Sequence, residues 1–292
     1  MNKFSIRDIE NLTGVKAHTI RIWEQRYGIL QPKRTNTNIR YYDALDLKLA
    51  LRIALLNSYG YKISRIGNMN EQEMTSLIAK ISDQEFKLQL IVNELLEATL
   101  SMDTVHFELL LNIYLKKHGI EQAIEKLVFT FLEKIGLMWM TDKIFPAQEH
   151  LISNIIYRKL ALAIEQLPPL DPQQRDILLF LPEGELHEIG LQYVNYLLLK
   201  NGWTTIYLGA NSPLDEVQSV YNIKKPSHIY LHLTTLTGDL DINKYLQQLA
   251  ARFPGAGIYI SGAMLSSRKY TPSKNMHFLY TLHDVREALL AL

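Results

Sequence analysis

The sequence predicts a multidomain chain of the α plus α/β class: a winged helix-turn-helix, then a four-helix bundle, then a doubly wound parallel sheet. Three observations favour this order. Two short helical patterns around a glycine-containing turn open the chain, four long helical patterns follow, and five short apolar runs then alternate with helices. At 292 residues the chain is long enough for several domains of ordinary size.

Composition narrows the class of protein. Hydrophobic residues make up 47% of the chain and charged residues 21%, as in ordinary globular proteins. The absence of cysteine excludes a disulfide framework, a thiolate zinc site and a cysteine nucleophile. Neither a signal peptide nor an apolar run of membrane-spanning length is visible, so we expect a cytoplasmic protein without membrane contact.

Charge is distributed unevenly along the chain. Residues 1–75 contain 12 basic and 7 acidic side chains, a net charge of +5, whereas the remainder contains 19 basic and 23 acidic side chains, a net charge of −4. Such asymmetry is typical of nucleic-acid contact by one end of a protein. A solvated basic face without a partner is equally compatible with charge alone.

The first predicted domain, residues 1–75, begins with the two short helices. Ser5 is a good N-cap for the first helix, and Gly14 stops it. A second helix follows and is stopped by Gly28. Two short helices around a tight turn are typical of a helix-turn-helix.

A small wing and a third helix complete this domain. Residues 29–42 contain Pro32 with several Asn and Thr residues and end in IRYY, which predicts a short β-hairpin. Asp43 is a candidate cap for the third helix, and a short helix is expected after Lys62.

The second predicted domain, residues 83–167, is a helical bundle. Its four apolar-periodic stretches have short connections, which favours antiparallel neighbours. These stretches are Phe86–Leu100, Val105–Lys117, Ile120–Met140 and Ala147–Leu167. The prolines at 168 and 169 end the bundle and begin a linker.

The third predicted domain, residues 175–292, alternates strands with helices. This alternation predicts right-handed crossovers and a parallel sheet covered by helices on both faces. The predicted strands are Ile177–Leu181, Thr204–Leu208, His228–Leu233, Gly257–Ser261 and His277–Leu279.

A candidate metal ligand follows the first of these strands. The run Ile177–Leu181 breaks at a Pro-Glu-Gly turn, and a helical pattern restarts near Ile189, so His187 lies on the loop at the carboxyl end of a strand. Open α/β sheets place ligands at that end. Glu185, two residues earlier, can bond one imidazole nitrogen and leave the other for a metal.

The amino-terminal domain resembles the MerR-type winged-helix regulators. The resemblance lies in the run HTIRIWEQRYGILQPKR and in NIRYYD, which follows it. It implies binding of double-stranded operator DNA, with arginines reading bases from the recognition helix and the wing contacting phosphates. The expected DNA-binding residues are Lys16, Thr19, Arg21, Arg26, Tyr27, Arg34, Arg40 and Tyr41. Trp23 and Tyr42 are expected to be core aromatics.

The third domain resembles the corrinoid-binding domains, which are flavodoxin-like, Rossmann-like folds. Glu185, His187 and Gly190 match the signature Asp-x-His-x-x-Gly with Glu in place of Asp. Two later parts of the signature, Ser-x-Leu and Gly-Gly, correspond here to Thr234 with Leu236 and to Ser261 with Gly262. The resemblance implies that His187 binds cobalt and that a nucleotide tail of cobalamin threads between sheet and helix, where any Cβ narrows the slot.

The bundle resembles that of the light-sensing, cobalamin-binding branch of the MerR-type regulators, which repress carotenoid genes. Trp139 is followed by nine residues and then by Glu149 and His150, which is the spacing of that branch. The resemblance implies that Trp139 packs on the upper corrin face and that Glu149 contacts the adenosyl group. It also implies that His150 ligates cobalt from above after illumination.

These resemblances favour a transcriptional regulator, expected to be a repressor, whose oligomerisation and DNA binding respond to adenosylcobalamin and through it to light. A homo-oligomer, dimer or tetramer, is implied, and an enzyme is not. Two alternatives stay open: a corrinoid methyl carrier or methyltransferase component, and a MerR-like regulator that has lost its cofactor. The departures at Glu185 and Ser261 support the last of these.

Overall fold

The computed structural model describes residues 3–169, 176–235, 241–267, 270 and 273–291. The chain divides into two compact units, Met1–Ile155 and Ile156–Leu292. Across the described ranges, no helix has the length and apolar character that a membrane span requires.

The first unit opens with the expected winged helix-turn-helix. Its elements are α1 (Ile6–Thr13), α2 (Ala17–Tyr27), β1 (Lys33–Arg34), β2 (Arg40–Tyr41), α3 (Ala44–Ser58) and α4 (Ile63–Ile66). Strands β1 and β2 pair antiparallel, which makes the wing. A further bridge between Phe4 and Tyr42 ties the start of the chain to the end of the wing.

Local capping chemistry explains where the helices of this region begin and end. The Ser5 hydroxyl accepts from the backbone N–H of Asp8, whose carboxylate accepts from the Ser5 N–H, and Asp43 caps α3 by the same reciprocal pattern. Gly14 and Gly28 end α1 and α2 in the left-handed conformation, with φ of 74° and 61°. The four boundaries expected from the sequence are therefore confirmed.

Both aromatic residues assigned to the core of the first domain lie there. Trp23 is 6% exposed and Tyr42 is fully buried. Trp23 packs in one hydrophobic cluster with Ile53, Leu56, Ile66, Met74 and Phe86. This cluster holds α2 against α3, so it fixes which face of α2 remains in solvent.

One helix was not predicted from the sequence. Helix α5 (Glu71–Lys80) lies across residue 75, where the first predicted domain ends, and Met74 buries its side chain in the cluster around Trp23. Its start is marked by a capping box between Asn70 and Glu73. That Asn-x-x-Glu pattern is a sequence signal for a helix start, and it was available in the sequence.

The bundle helices agree with the four predicted stretches. They are α6 (Gln84–Ser101), α7 (Thr104–Gln122), α8 (Phe129–Trp139) and α9 (Pro146–Glu165). A wider-turned segment, Ala123–Val128, joins α7 to α8. Gly119 has φ of 78° inside α7, so the axis breaks there and the helical run restarts at the residue from which the third stretch was predicted.

The second unit contains a five-stranded, fully parallel sheet. Its strands are β3 (Asp176–Pro182), β4 (Thr204–Ser212), β5 (His228–His232), β6 (Gly257–Ser261) and β7 (Met276–Leu279). Their order is β4-β3-β5-β6-β7, which is the flavodoxin-like arrangement. Strands β3 and β5 are neighbours although β4 lies between them in sequence, so the order reverses at this pair.

Helices connect these strands and cover the sheet. They are α10 (Ile189–Lys200), α11 (Leu214–Lys224), α12 (Ile242–Arg252) and α13 (Leu282–Ala291), with a short 3-10 turn at Ala263–Ser267. The five strands agree with the sequence expectation within two residues, except that β4 continues to Ser212, four residues beyond its predicted end. The predicted architecture is therefore confirmed.

Candidate functional site

The crevice at the strand-order reversal is occupied by the predicted motif. Glu185 lies on the loop after β3 and is fully buried. One carboxylate oxygen, Oε1, accepts from the His187 N–H at 3.0 Å and lies 2.6 Å from His187 Nδ1. The other, Oε2, accepts from the N–H groups of Thr234 and Thr235 at 2.9 and 2.7 Å. This carboxylate therefore ties the loop after β3 to the loop after β5.

The pKa of Glu185 decides whether it can act as this acceptor. Burial raises the pKa, but the hydrogen bonds from His187 and Thr235 outweigh burial, and the net pKa lies below its ordinary value. The carboxylate is therefore ionised at neutral pH. An ionised acceptor suits all four donors that face it.

His187 is the candidate metal ligand, and its orientation follows from Glu185. The carboxylate requires a proton on Nδ1, so the lone pair of the neutral imidazole lies on Nε2. The Thr235 hydroxyl also lies 3.1 Å from Nδ1. The His187 side chain is 43% exposed, so it is accessible to a ligand although its partner carboxylate is buried. A carboxylate–imidazole pair of this kind is the usual arrangement of metal-binding histidines.

Gly190 is the second residue of α10 and lies against His232. A Cβ built on Gly190 would lie 2.2 Å from His232 Nε2 and within 2.6 Å of two ring carbons. Real Cβ atoms do not approach that closely, so the imidazole of His232 rests directly on the helix backbone. Glycine is therefore required at this position by a neighbour on β5, 42 residues away in sequence.

His232 is held in this position by a buried hydroxyl pair. Tyr230 donates to Ser261 Oγ at 2.6 Å, and Ser261 Oγ lies 2.8 Å from His232 Nδ1. Tyr230 is fully buried and Ser261 is 2% exposed. Burial lowers the pKa of His232 to about 4, so the ring is neutral at physiological pH. From its place at the end of a strand near Thr234, the sequence offered His232 only as a secondary candidate for lining this crevice, and the structure brings it into the site.

Gly262, the other residue of the Gly-Gly position, has a steric role. Its φ is 114°, and a Cβ there would lie 2.2 Å from the carbonyl oxygen of Leu233. Strands β5 and β6 thus approach closely at their carboxyl ends.

Of the two residues predicted from the Ser-x-Leu part of the signature, Thr234 donates its backbone N–H to Glu185, and Leu236 lies outside the described residues.

Two further residues of the site were missed by sequence analysis. Asn211 accepts from the Gly184 N–H at 2.9 Å through its side chain and donates its own N–H to the Glu185 carbonyl at 3.1 Å. Glu188 accepts from the Ala210 N–H at 3.0 Å. Both residues attach the motif loop to the end of β4. Asn211 has a left-handed backbone, with φ of 55°, a conformation that asparagine tolerates better than most residues. The asparagine near the end of a predicted strand was therefore a weak sequence signal for a turn at this place.

A first prediction tests the contact between Gly190 and His232. Gly190→Ala should lower the free energy of unfolding by about 1–3 kcal/mol, the range for overpacking, although alanine is the better helix former. Urea unfolding measures it. The matched control is Gly136→Ala in α8, where the structure places no neighbour within 4 Å of the new Cβ. Adding His232→Ala should remove most of the penalty. A fully stable Gly190→Ala single variant would contradict the packing.

In the first unit, the three predicted cofactor residues differ in exposure. Trp139 ends α8 and is 39% exposed, and Met140, which follows it, and Phe145, six residues later, are also exposed. Glu149 is nearly buried and accepts from the Ser153 hydroxyl, whereas the His150 side chain is 70% exposed. His150 Nε2 lies 3.7 Å from a Glu149 oxygen. An exposed tryptophan among exposed apolar side chains is typical of a ligand or partner surface.

The predicted DNA-binding residues of α2 lie on its solvent face. Arg21 and Arg26 are exposed, as is Lys16 just before the helix, while Thr19 and Tyr27 are half-buried. Tyr27 packs partly against the cluster around Trp23. Sequence analysis did not include Gln25, which is exposed one turn after Arg21.

The wing residues are exposed but engaged in local contacts. Arg34 donates to the carbonyl and side-chain oxygens of Asn38. Arg40 lies 3.7 Å from Glu24 of α2, whose other oxygen accepts from Tyr42. Tyr41 is half-buried under the Lys3 ammonium, 4.8 Å from the ring centroid. The Arg40–Glu24 pair therefore orients the wing relative to α2.

Two family models match the chain, one over the winged helix-turn-helix and one over the helical bundle. The family described as MerR HTH family regulatory protein matches residues 4–73, and the family described as B12 binding domain matches residues 91–164. The HTH-type transcriptional repressor CarH of Myxococcus xanthus is 25% identical over 273 residues, which is 91% of each chain. The repressor CarA of the same organism is 26% identical over 232 residues, 77% of this chain and 75% of CarA.

Solved corrinoid proteins are also similar. The monomethylamine corrinoid protein of Methanosarcina barkeri has a TM-score of 0.49 at 18% identity, covering 70% of this chain and 99% of its own. A cobalamin-binding protein of Desulfitobacterium hafniense has a TM-score of 0.30 at 16% identity, covering 68% and 88%.

Proposed function

We propose that this chain, which carries a MerR-type helix-turn-helix and a B12-binding domain and is homologous to the two Myxococcus xanthus repressors, is itself a transcriptional repressor controlled by cobalamin. The single observation that carries the proposal is the pair of Glu185 and His187. It places an oriented imidazole at the ligand-binding end of a sheet, in the same chain as a DNA-binding head.

The chemistry of the site fits a cobalt ligand. His187 would bind cobalt through Nε2, because Glu185 holds the proton on Nδ1. Imidazole is a suitable donor for a borderline transition metal such as cobalt. When bound, cobalamin supplies a cobalt centre and, in its adenosyl form, a light-sensitive cobalt–carbon bond. Glu185 holds the proton on Nδ1 and fixes the orientation of the ring, and its bonds to Thr234 and Thr235 keep the loop in place.

The adenosyl form is the proposed physiological ligand. This part of the proposal is supported by the spacing of Trp139, Glu149 and His150 and by the exposure of Trp139 and His150. In it, Trp139 and Glu149 contact the adenosyl group, and the nearly buried Glu149 carboxylate serves as a hydrogen-bond acceptor. Preferential binding of adenosylcobalamin to one assembly state would shift the population towards that state.

DNA binding is assigned to the solvent face of α2 and to the wing. Arg21 is proposed to reach base edges in the major groove, and Arg26 and Lys16 are exposed as well. Arg34, Arg40 and Tyr41 are proposed to contact phosphates. The ion pair of Arg40 with Glu24 gives Arg40 a second role, since it holds the wing in register with the recognition helix.

The test is a gel-shift titration on an operator enriched from random double-stranded DNA, with and without adenosylcobalamin in the dark. The cofactor should tighten binding. Arg21→Ala should weaken operator binding by about 1–3 kcal/mol, the range for a bidentate base contact. Arg40→Ala should weaken specific and non-specific binding alike and reduce the salt slope by about 1.

The control for these variants is Lys224→Ala, an exposed cation of the sheet unit that should leave DNA binding unchanged. If the two arginine variants bind as tightly as the wild type at both high and low salt, the interface assignment is wrong. If cobalamin binds but leaves DNA affinity unaltered, the regulatory proposal is wrong and the DNA-binding assignment survives.

A further inference from the structure

The gap between the carboxyl end of β5 and the start of α10 is filled by a side chain. His232 ends β5, and its ring lies so close to Gly190 of α10 that a Cβ there would be 2.2 Å from Nε2. Its position is determined by Ser261 at the end of β6, 2.8 Å from Nδ1. The imidazole therefore bridges the sheet to the helix at the crevice where His187 lies.

The residues around His232 hold it rigidly. Ser261 is itself bonded to the buried Tyr230 hydroxyl, so the three side chains form one connected network. Burial keeps the His232 ring neutral, with a pKa of about 4, and a neutral ring is the form that packs against a helix backbone without a counter-charge. Moving the ring would break its bond to Ser261, whose hydroxyl would keep the bond from Tyr230 but lose its second partner.

The position of His232 matters for the space that the nucleotide tail of a corrinoid needs. A complete corrinoid carries a nucleotide whose base can occupy the lower axial position of its own cobalt. If His187 took that position, the base would be displaced, and the resemblance to corrinoid-binding domains implies that the tail then threads between sheet and helix at the crevice outside the ends of β3 and β5. Gly190 provides room on the helix side of the crevice, but the His232 ring already occupies it.

We infer that His232, fixed by Ser261, is a specificity-determining residue that selects against the displaced nucleotide tail of a complete corrinoid. Adenosylcobalamin, the ligand of the proposed function, carries this tail and binds at the cost of displacing His232, whereas a corrinoid with a short or absent lower nucleotide binds through His187 without that cost. Binding of complete cobalamin requires His232 to leave its contact with Gly190. This inference rests on the proposed cobalamin function and concerns how the lower nucleotide tail of the ligand is accommodated.

The experiment compares two probes on the purified full-length chain: aquacobalamin, which has the nucleotide tail, and diaquacobinamide, which lacks it. Spectral titration gives a Kd for each. The wild type should bind cobinamide more tightly. His232→Ala and, independently, Ser261→Gly should tighten cobalamin binding about tenfold or more, as expected for relief of overpacking, with little change for cobinamide.

Two further variants separate a steric effect from a general one. Ser261→Ala keeps the Cβ but loses the bond to His232, so it should give a smaller gain than Ser261→Gly. His228→Ala, at the amino end of the same strand, should leave both Kd values unchanged. Thermal melts verify that each variant is folded.

The outcomes distinguish the two proposals. If His232→Ala and Ser261→Gly both keep the wild-type ratio of the cobalamin Kd to the cobinamide Kd, the inference is wrong. Cobinamide binding in the same experiment would still support the proposed function. Failure of every folded variant, and of the wild type, to bind either probe overturns the proposed function and the inference with it. If the wild type binds only cobinamide and cobalamin binding appears only after His232→Ala, the inference is supported and the proposed ligand is restricted to corrinoids without the tail.

Discussion

His187→Ala is expected to weaken corrinoid binding by more than about 100-fold while the protein stays folded. Removal of the carboxylate partner of a metal histidine typically weakens binding by ~10–100-fold, and loss of the ligand itself should exceed that. The His187 ring is 43% exposed, so its removal leaves no large cavity. Spectral titration with diaquacobinamide measures the effect without interference from a nucleotide tail.

Glu185→Gln is the companion variant, because it preserves size. Both carboxylate oxygens accept two hydrogen bonds, so an amide NH₂ must face either His187 or the N–H groups of Thr234 and Thr235. We expect a loss of about 10–100-fold in affinity. His283→Ala, on the exposed face of α13, is the control. If His187→Ala binds the corrinoid with unaltered affinity and spectrum, His187 is not the cobalt ligand.

Local signals account for how much of this fold could be predicted. Strands β3 and β5 are apolar runs bounded by turns, so their positions follow from composition alone. Caps at Ser5 and Asp43 and left-handed glycines fix helix ends by interactions within four residues. The loop position of His187 and its pairing with Glu185 are also local, since they depend on two residues of separation.

What could not be predicted depends on contacts between distant parts of the chain. The bonds from Thr234 and Thr235 to Glu185 span about 50 residues, and the contact of His232 with Gly190 exists only because β5 is placed beside β3. In sequence, Ser261 was only a departure from a glycine pattern. In the structure it is a hydrogen-bond partner of His232, which gives the departure a physical reason.

Illumination of the adenosylcobalamin-loaded protein is expected to release operator DNA. The first reason is the proposed contact of Trp139 and Glu149 with the adenosyl group. The second is that the His150 side chain is 70% exposed and can move at little energetic cost. Loss of the adenosyl group removes what Trp139 and Glu149 bind. Any subunit contact that depends on this surface would then weaken.

Fewer DNA-binding heads would then be held together, and loss of such multivalency lowers apparent affinity by ~10²–10⁴-fold even though each head is unchanged. Size-exclusion chromatography and gel shifts, in the dark and after green light at saturating cofactor, measure both effects on one sample. Trp139→Ala should reduce the difference in assembly size, whereas Ile223→Ala, at an even more exposed apolar residue of the sheet unit, should not. If size and DNA affinity are the same before and after complete photolysis, the chain is a cobalamin sensor without a light response. The geometry of Glu185 and His187 would be unaffected by that result, because it depends on neither Trp139 nor the adenosyl group.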